Sequence, residues 1–172
     1  MLEEEIVDAG AFKLGNFTLA SGRKSDYYVD LRAVITRPEM LRKVAASMAQ
    51  HIGDAEKIAG VELGAVPIAA ALALETNIPY LMVRKQKKEH GAGKLVEGEL
   101  ADGDKVLFVE DTVTTAGSLV KALVAVRELG GFVDRAIVIV DREEGAKEAL
   151  AEEGVELISL ASIERLRELA SP

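Results

Sequence analysis

Four short apolar runs punctuate the chain: Lys57 to Val61 (KIAGV), Pro79 to Val83 (PYLMV), Val106 to Glu110 (VLFVE) and Arg135 to Val140 (RAIVIV). Their length and their branched side chains predict strands buried on both faces, and Val155 to Leu160 is a fifth candidate. Between them the period changes. Pro38 to Ile52 opens with proline at a first-turn position, and Val66 to Glu75 is apolar almost throughout. Ser118 to Leu129 sets Leu119, Ala122, Leu123, Val126 and Leu129 three and four residues apart before Gly130-Gly131. These segments predict helices, the last one stopped by the glycine pair. Strands alternating with helices of this length predict an α/β fold, an open parallel sheet flanked by helices.

Two stretches interrupt the alternation. Residues 11–32 (AFKLGNFTLASGRKSDYYVDLR) carry turn signals around Ser21-Gly22 and an aromatic pair at Tyr27-Tyr28, and predict a small flap outside the main sheet, a hood over about residues 11–35. Residues 84–98 (RKQKKEHGAGKLVEG) are polar, basic and punctuated by glycine. They predict a long mobile loop, and such loops in compact domains are often functional.

Composition narrows the classes. A length of 172 residues, 49% of them hydrophobic, favours one domain over residues 1–172 with a single core. The net charge of -8 argues against nucleic acid as a partner, because that class needs a broad basic face, so any anion site must be local. With no cysteine and two histidines, thiolate zinc sites, cysteine nucleophiles and His-rich metal sites are excluded. The start, MLEEEIVDAG, is acidic, and no apolar run approaches the roughly 20 residues of a bilayer span. The expectation is a soluble, cytoplasmic protein without a membrane partner.

The chemistry concentrates in Val106 to Ser118, VLFVEDTVTTAGS, where an apolar strand runs into Glu110 and Asp111 and then into a turn of small hydroxyl residues that feeds a helix. In an open parallel sheet, ligands bind at the carboxyl ends of strands. A turn of this kind at a helix N-terminus offers backbone N–H groups, hydroxyls and the positive end of the helix dipole, which suits a phosphate monoester. The acids suit a sugar diol, or a magnesium ion carrying pyrophosphate. Together they read ribose 5-phosphate. The plain structural alternative is that Asp111 or Ser118 caps the helix and Glu110 sits at a solvated strand end. A second constellation, Arg84 to Gly91 (RKQKKEHG), holds five basic or potentially basic side chains in seven residues of an otherwise acidic protein. Closure of such a loop over a polyanion would strengthen each charge-assisted hydrogen bond.

The first constellation resembles the signature of the type I phosphoribosyltransferases: hydrophobic strand, two acids (Glu110, Asp111), two variable residues (Thr112, Val113), then Thr114, Thr115, Ala116, Gly117 and Ser118. Many members have glycine where this chain has Ala116. The second resembles the catalytic loop of orotate phosphoribosyltransferases, with Arg84, Lys85, Lys88 and His90 in matching positions. Phe17 to Asp30 is similar to the N-terminal segment that covers the base in that family, and Asp141-Arg142 to its D-R pair, whose arginine contacts orotate. Physically, Arg142 offers a planar fork to a carboxylate; its structural alternative is a surface arginine paired with Glu143 or Glu144. Glu62 to Pro67 occupies the place of the pyrophosphate-binding turn, but lysines that some members carry at positions matching Ala20 and Gly64 are missing. The resemblance spans roughly residues 5–145.

The resemblance implies transfer of ribose 5-phosphate from 5-phosphoribosyl 1-pyrophosphate (PRPP) to orotate in pyrimidine biosynthesis, in a homodimer whose loops reach across to the partner's site. Arg84, Lys85, Lys88, His90 and Glu110 through Ser118 would bind PRPP, with Lys88, His90, Glu110 and Asp111 as catalytic groups and Thr114 and Arg142 on orotate. The cofactor would be magnesium carried by the pyrophosphate, with no direct protein ligand. Three rivals share the Val106 to Ser118 motif: a purine or uracil phosphoribosyltransferase, a non-enzymatic sugar-phosphate-binding regulator, and a pyrophosphokinase making the sugar donor. The first has no use for the basic loop pattern or Arg142, the second none for the loop, and the third needs a longer chain for ATP.

Overall fold

The computed structural model describes residues 1–18, 22, 24–86 and 94–171. The chain opens with helix α1 (Leu2–Asp8), followed by an antiparallel pair, β1 (Phe12–Thr18) and β2 (Lys24–Val29), which forms a two-stranded sheet of its own. After a short helix α2 (Arg32–Ile35), α3 (Pro38–Ala49) starts with its proline at a first-turn position, where the missing N–H costs nothing. The alternating part then runs β3 (Lys57–Val61), α4 (Ala65–Thr76), β4 (Tyr80–Val83), β5 (Val96–Glu97), β6 (Lys105–Val113), α5 (Gly117–Glu128), β7 (Phe132–Asp141), α6 (Ala146–Glu152), β8 (Glu156–Ser162) and α7 (Ile163–Ala170). Left-handed Asn77 closes α4, and Gly130, with φ 93°, follows the end of α5.

Strand order in the main sheet is β5-β4-β3-β6-β7-β8. All neighbours are parallel except β4 and β5. Side chains alternate between two layers. Ile58, Leu107, Val109, Ile137 and Ile139 face one way and share a core with α1, α3, α4, α7 and the hairpin. Ala59, Val61, Phe108, Ala136 and Val138 face the other way, onto α5 and α6. The chain leaves β3 toward β4 on one side and returns to lay β6, β7 and β8 on the other. The switch in direction therefore lies between β3 and β6, where a parallel sheet opens a crevice at its carboxyl edge.

Two expectations change. The sequence places the end of the third strand at Glu110, but β6 continues to Val113, because β7 goes on pairing with it: Glu110 with Val138, Thr112 with Val140 and Val113 with Asp141. On its other side the ladder with β3 has already stopped at Val109 opposite Gly60. The acids thus belong to a strand with one open flank. The stretch read as one loop over residues 84–98 also contains a strand at its far end, since Val83 pairs with Val96 and Met82 with Glu97, and Val96 is buried. A strand of two residues, only one of them apolar, is too short to show a period among the charges.

Candidate active site

Glu110 and Asp111 occupy the open flank of β6 beside the crevice. The Asp111 N–H donates to Glu110 Oε1 at 3.0 Å, and the Thr112 N–H to Asp111 Oδ1 at 2.6 Å. Burial, and then the neighbouring Asp111 charge, push the Glu110 carboxyl up to about 8, while nearby Lys85 opposes the shift. The pair thus holds one proton more readily than two ordinary carboxylates would.

Beyond Val113 the chain turns into α5. Ala116 is its N-cap residue, with φ 57° and ψ 8°, and no side chain caps the helix. The capping alternative for Asp111 or Ser118 is therefore not what the structure adopts. The first intrahelical bond runs from the Val120 N–H to the Ala116 carbonyl, leaving the earlier N–H groups for another acceptor. They face a recess of about 330 Å³ lined by Glu110, Thr112 to Leu119 and Lys121. Ala116 keeps the left-handed backbone that glycine adopts freely, and its methyl group is buried in the α5 core.

Across the crevice, the turn after β3 carries a cis peptide bond between Glu62 and Leu63. Two glycines permit close approach here. A Cβ on Gly60 would stand 2.6 Å from the Ala65 carbonyl oxygen, and one on Gly64 2.6 Å from Asp111 Oδ2. The base of the basic loop is anchored to the same turn. Arg84 Nε donates to Glu97 at 3.2 Å, its Nη1 lies 4.0 Å from Glu62, and the Lys85 N–H donates to Glu62 Oε1 at 2.9 Å. Arg84 and Lys85 share a recess of about 150 Å³ with Ser118 and Lys121.

The second half of the site lies at the end of β7. The Arg142 N–H donates to the Val113 carbonyl at 3.0 Å, which sets Arg142 directly beside the start of the Thr114 turn. Asp141, the single buried charged residue among those described, accepts the Glu143 N–H on Oδ1 at 2.9 Å and stabilises the left-handed Glu143 (φ 56°). Arg142 then points into a cavity of about 930 Å³ under the β1–β2 hairpin, shared with Asn16, Phe17, Lys24, Asp26, Tyr27 and Glu144. Its Nε donates to the Tyr27 hydroxyl at 3.2 Å and its Nη2 lies 3.1 Å from Glu144 Oε1. The pairing with Glu144 raised as an alternative is thus present, inside the cavity and not on an open surface.

A recess at a helix start, paired acids at the switch point and a guanidinium fork under a hairpin have relatives. The phosphoribosyl transferase domain family matches residues 32–162. An orotate phosphoribosyltransferase of Pyrococcus abyssi is 48% identical over 169 residues, 96% of this chain and 93% of that protein. This chain belongs to the orotate phosphoribosyltransferases. Among solved structures, the orotate phosphoribosyltransferase of Aeropyrum pernix superposes with a TM-score of 0.87 at 35% identity, covering 98% of this chain and 97% of that one. That of Mycobacterium tuberculosis in complex with PRPP gives 0.78 at 31% identity, covering 97% and 99%.

For an orotate phosphoribosyltransferase, the structure gathers Glu110 to Ser118, Arg84 and Lys85 around the crevice, and sets Thr114 next to Arg142. Lys88, His90 and Ala20 lie outside the described residues. Gly64, where some family members carry lysine, is filled from the other side by the Asp111 carboxylate. Sequence reasoning missed Lys24 and Asp26 as individual cavity residues, and Arg167, which reaches Asp26 from α7. A contact across 141 residues leaves no local signal.

Proposed function

We infer that this chain transfers ribose 5-phosphate from PRPP to N1 of orotate, yielding orotidine 5-phosphate and pyrophosphate in the synthesis of UMP, and that residues 1–172 act as one phosphoribosyltransferase domain. The observation that carries this is the adjacency of Thr114 and Arg142. On this reading a guanidinium able to bind a carboxylate stands beside the end of a turn suited to ribose 5-phosphate, under a hairpin with room for a planar base. A purine or uracil has no carboxylate for that fork.

In this reading the N–H groups of Gly117 and Ser118 and the hydroxyls of Thr114, Thr115 and Ser118 hold the 5-phosphate, fixing the sugar while C1 moves from leaving group to base. Glu110 and Asp111 accept the ribose hydroxyls. The negative charge of this acid pair steadies the cationic ring as the bond at C1 breaks. Arg84, Lys85, Lys88 and His90 meet the departing pyrophosphate, with Lys88 or His90 as its general acid. Arg142 and Thr114 orient orotate so that N1 faces C1.

Magnesium is proposed to enter on the pyrophosphate oxygens with no direct protein ligand, and the acid pair Glu110-Asp111 at the crevice adds negative charge that favours a cation there. When bound, the ion neutralises charge on the pyrophosphate. A second copy of the chain is the proposed partner, supplying loop residues to this site. Leu74 of α4 is 88% exposed, and Tyr80 and Met82 on β4, next to the two-residue edge strand β5, are 36% and 39% exposed, apolar surface suited to an interface. Among the described residues no helix is long and apolar enough to cross a membrane, and the proposed setting is the cytoplasm, away from nucleic acid.

The test is an absorbance assay of orotate consumption with PRPP and magnesium, run beside adenine, hypoxanthine and uracil. Turnover of orotate alone is expected; turnover of another base without orotate overturns the acceptor while keeping the sugar donor.

A further inference from the structure

Arg167 lies outside both the crevice and the matched segment, residues 32–162, yet its side chain crosses from α7 to the hairpin. Its Nη1 and Nη2 donate to Asp26 Oδ2 and Oδ1 at 2.6 and 2.7 Å, a two-pronged pairing that fixes the plane of the fork. The same guanidinium lies over the Tyr27 ring, 4.8 Å from its centroid. Phe12 stacks on that ring at 5.5 Å with 20° between the planes. Held by both, and 7% exposed, Tyr27 presents its hydroxyl to Arg142 Nε at 3.2 Å. A continuous set of contacts therefore runs from Asp26 and Arg167 through Tyr27 to Arg142.

Two consequences meet at the hood cavity. Arg142 is anchored through a ring whose tilt is set by Phe12 and Arg167, so the direction of its remaining donors depends on α7. Asp26 and Glu144 also line the cavity, and each would repel an anionic base if its charge were bare. Arg167 compensates Asp26 in a solvent-exposed pair, without itself lining the space.

We propose that Arg167 is a positioning residue for the acceptor base: by holding Tyr27 and neutralising Asp26, it aims the Arg142 fork at the substrate carboxylate. The proposal rests on the reading of orotate at Arg142. It goes beyond that reading in making the C-terminal helix part of base recognition.

Steady-state kinetics with both substrates, on the full chain, test it. Arg167→Leu is expected to raise the KM for orotate about tenfold, the loss of roughly one charge-assisted hydrogen bond, with the KM for PRPP and kcat little changed. Arg167→Lys keeps the charge without the fork and should recover only part of the loss. Tyr27→Phe should raise the same KM, and the double variant Tyr27→Phe/Arg167→Leu should be no worse than the more damaged single, as expected of residues acting in series. An unchanged orotate KM in Arg167→Leu, equal rises in both KM values, or additive effects in the double variant overturn the proposal. If Arg167→Leu does not fold, Arg167→Lys and Tyr27→Phe decide it by the same split. Arg142→Ala separates the two levels: an orotate KM unmoved by it sinks the reading of orotate at Arg142. A rise there with none in the Arg167 variants sinks the positioning role alone.

Discussion

The Asp111 carboxylate stands where a side chain on Gly64 would begin, with Oδ2 2.6 Å from the Cβ that alanine would place there. One acid of the proposed sugar site and the turn opposite it are therefore fitted to each other across the crevice, and neither can change alone. Gly64→Ala should displace Asp111 and lower kcat/KM for PRPP by about a hundredfold, as a displacement near 1 Å at a reacting centre can. The Gly64 backbone is not left-handed (φ -64°), so stability should change little. Unaltered PRPP kinetics in a folded variant would show that Asp111 works from another position.

Ala116 poses a question of magnitudes. A left-handed alanine costs roughly 1–2 kcal/mol, and glycine would relieve it. Glycine would also forfeit a buried methyl group, about 0.8 kcal/mol, and add roughly 0.5–1 kcal/mol of chain entropy to be lost on folding. These nearly cancel. Ala116→Gly should leave the urea midpoint close to wild type while raising the KM for PRPP, because the cradle loses rigidity and not shape. A stabilised variant would mean that the buried methyl contributes nothing.

The alternation of β3, β4, β6 and β7 with helices was legible because each of these strands carries a run of apolar residues flanked by helix-period segments. The end of β6 was not, since Glu110 to Thr112 are polar and only the pairing with β7 keeps them extended. β5 was hidden by its neighbours' charge. Within the site, the cradle and acids could be read because they are contiguous. The Glu144 pairing of Arg142 was anticipated as an alternative, but its place inside a cavity follows from the hairpin folding over β7. Sequence distance concealed the Arg167–Asp26 contact altogether.

Glu110 makes stability depend on pH. Its folded-state carboxyl titrates at about 8 against an ordinary 4.5, so between these values the folded chain keeps a proton that the unfolded chain has released. The associated stability is full below the lower value and is lost as pH rises through the upper one. Glu110→Gln should flatten the fall in Tm between about pH 5 and about pH 9 and should be more stable than wild type at the alkaline end. A variant whose Tm profile parallels that of wild type would place the carboxyl in solvent.

Asp141 links the sheet to the turn that carries Arg142, the proposed base contact, through a hydrogen bond accepted from the Glu143 N–H. Asp141→Ala should cost about 1–3 kcal/mol, the usual penalty for stripping a buried polar contact, and should raise the KM for orotate because Arg142 and Glu144 lose their common turn. Asp141→Asn retains an acceptor oxygen and should keep most of both properties. Denaturant unfolding paired with orotate kinetics reads the two together; loss of stability without a change in that KM would confine Asp141 to a structural role.

β6 runs on to Val113 after its ladder with β3 has ended at Val109, so the crevice proposed for the sugar donor is cut by a difference in strand length, in main chain. In the proposed reading, what chooses the acceptor hangs elsewhere, on a hairpin and on the turn from Asp141 to Gly145. An engineer wanting a new acceptor would leave β6 and its loop untouched, graft a different hairpin and a different turn, and carry the supporting face of α7 along with them.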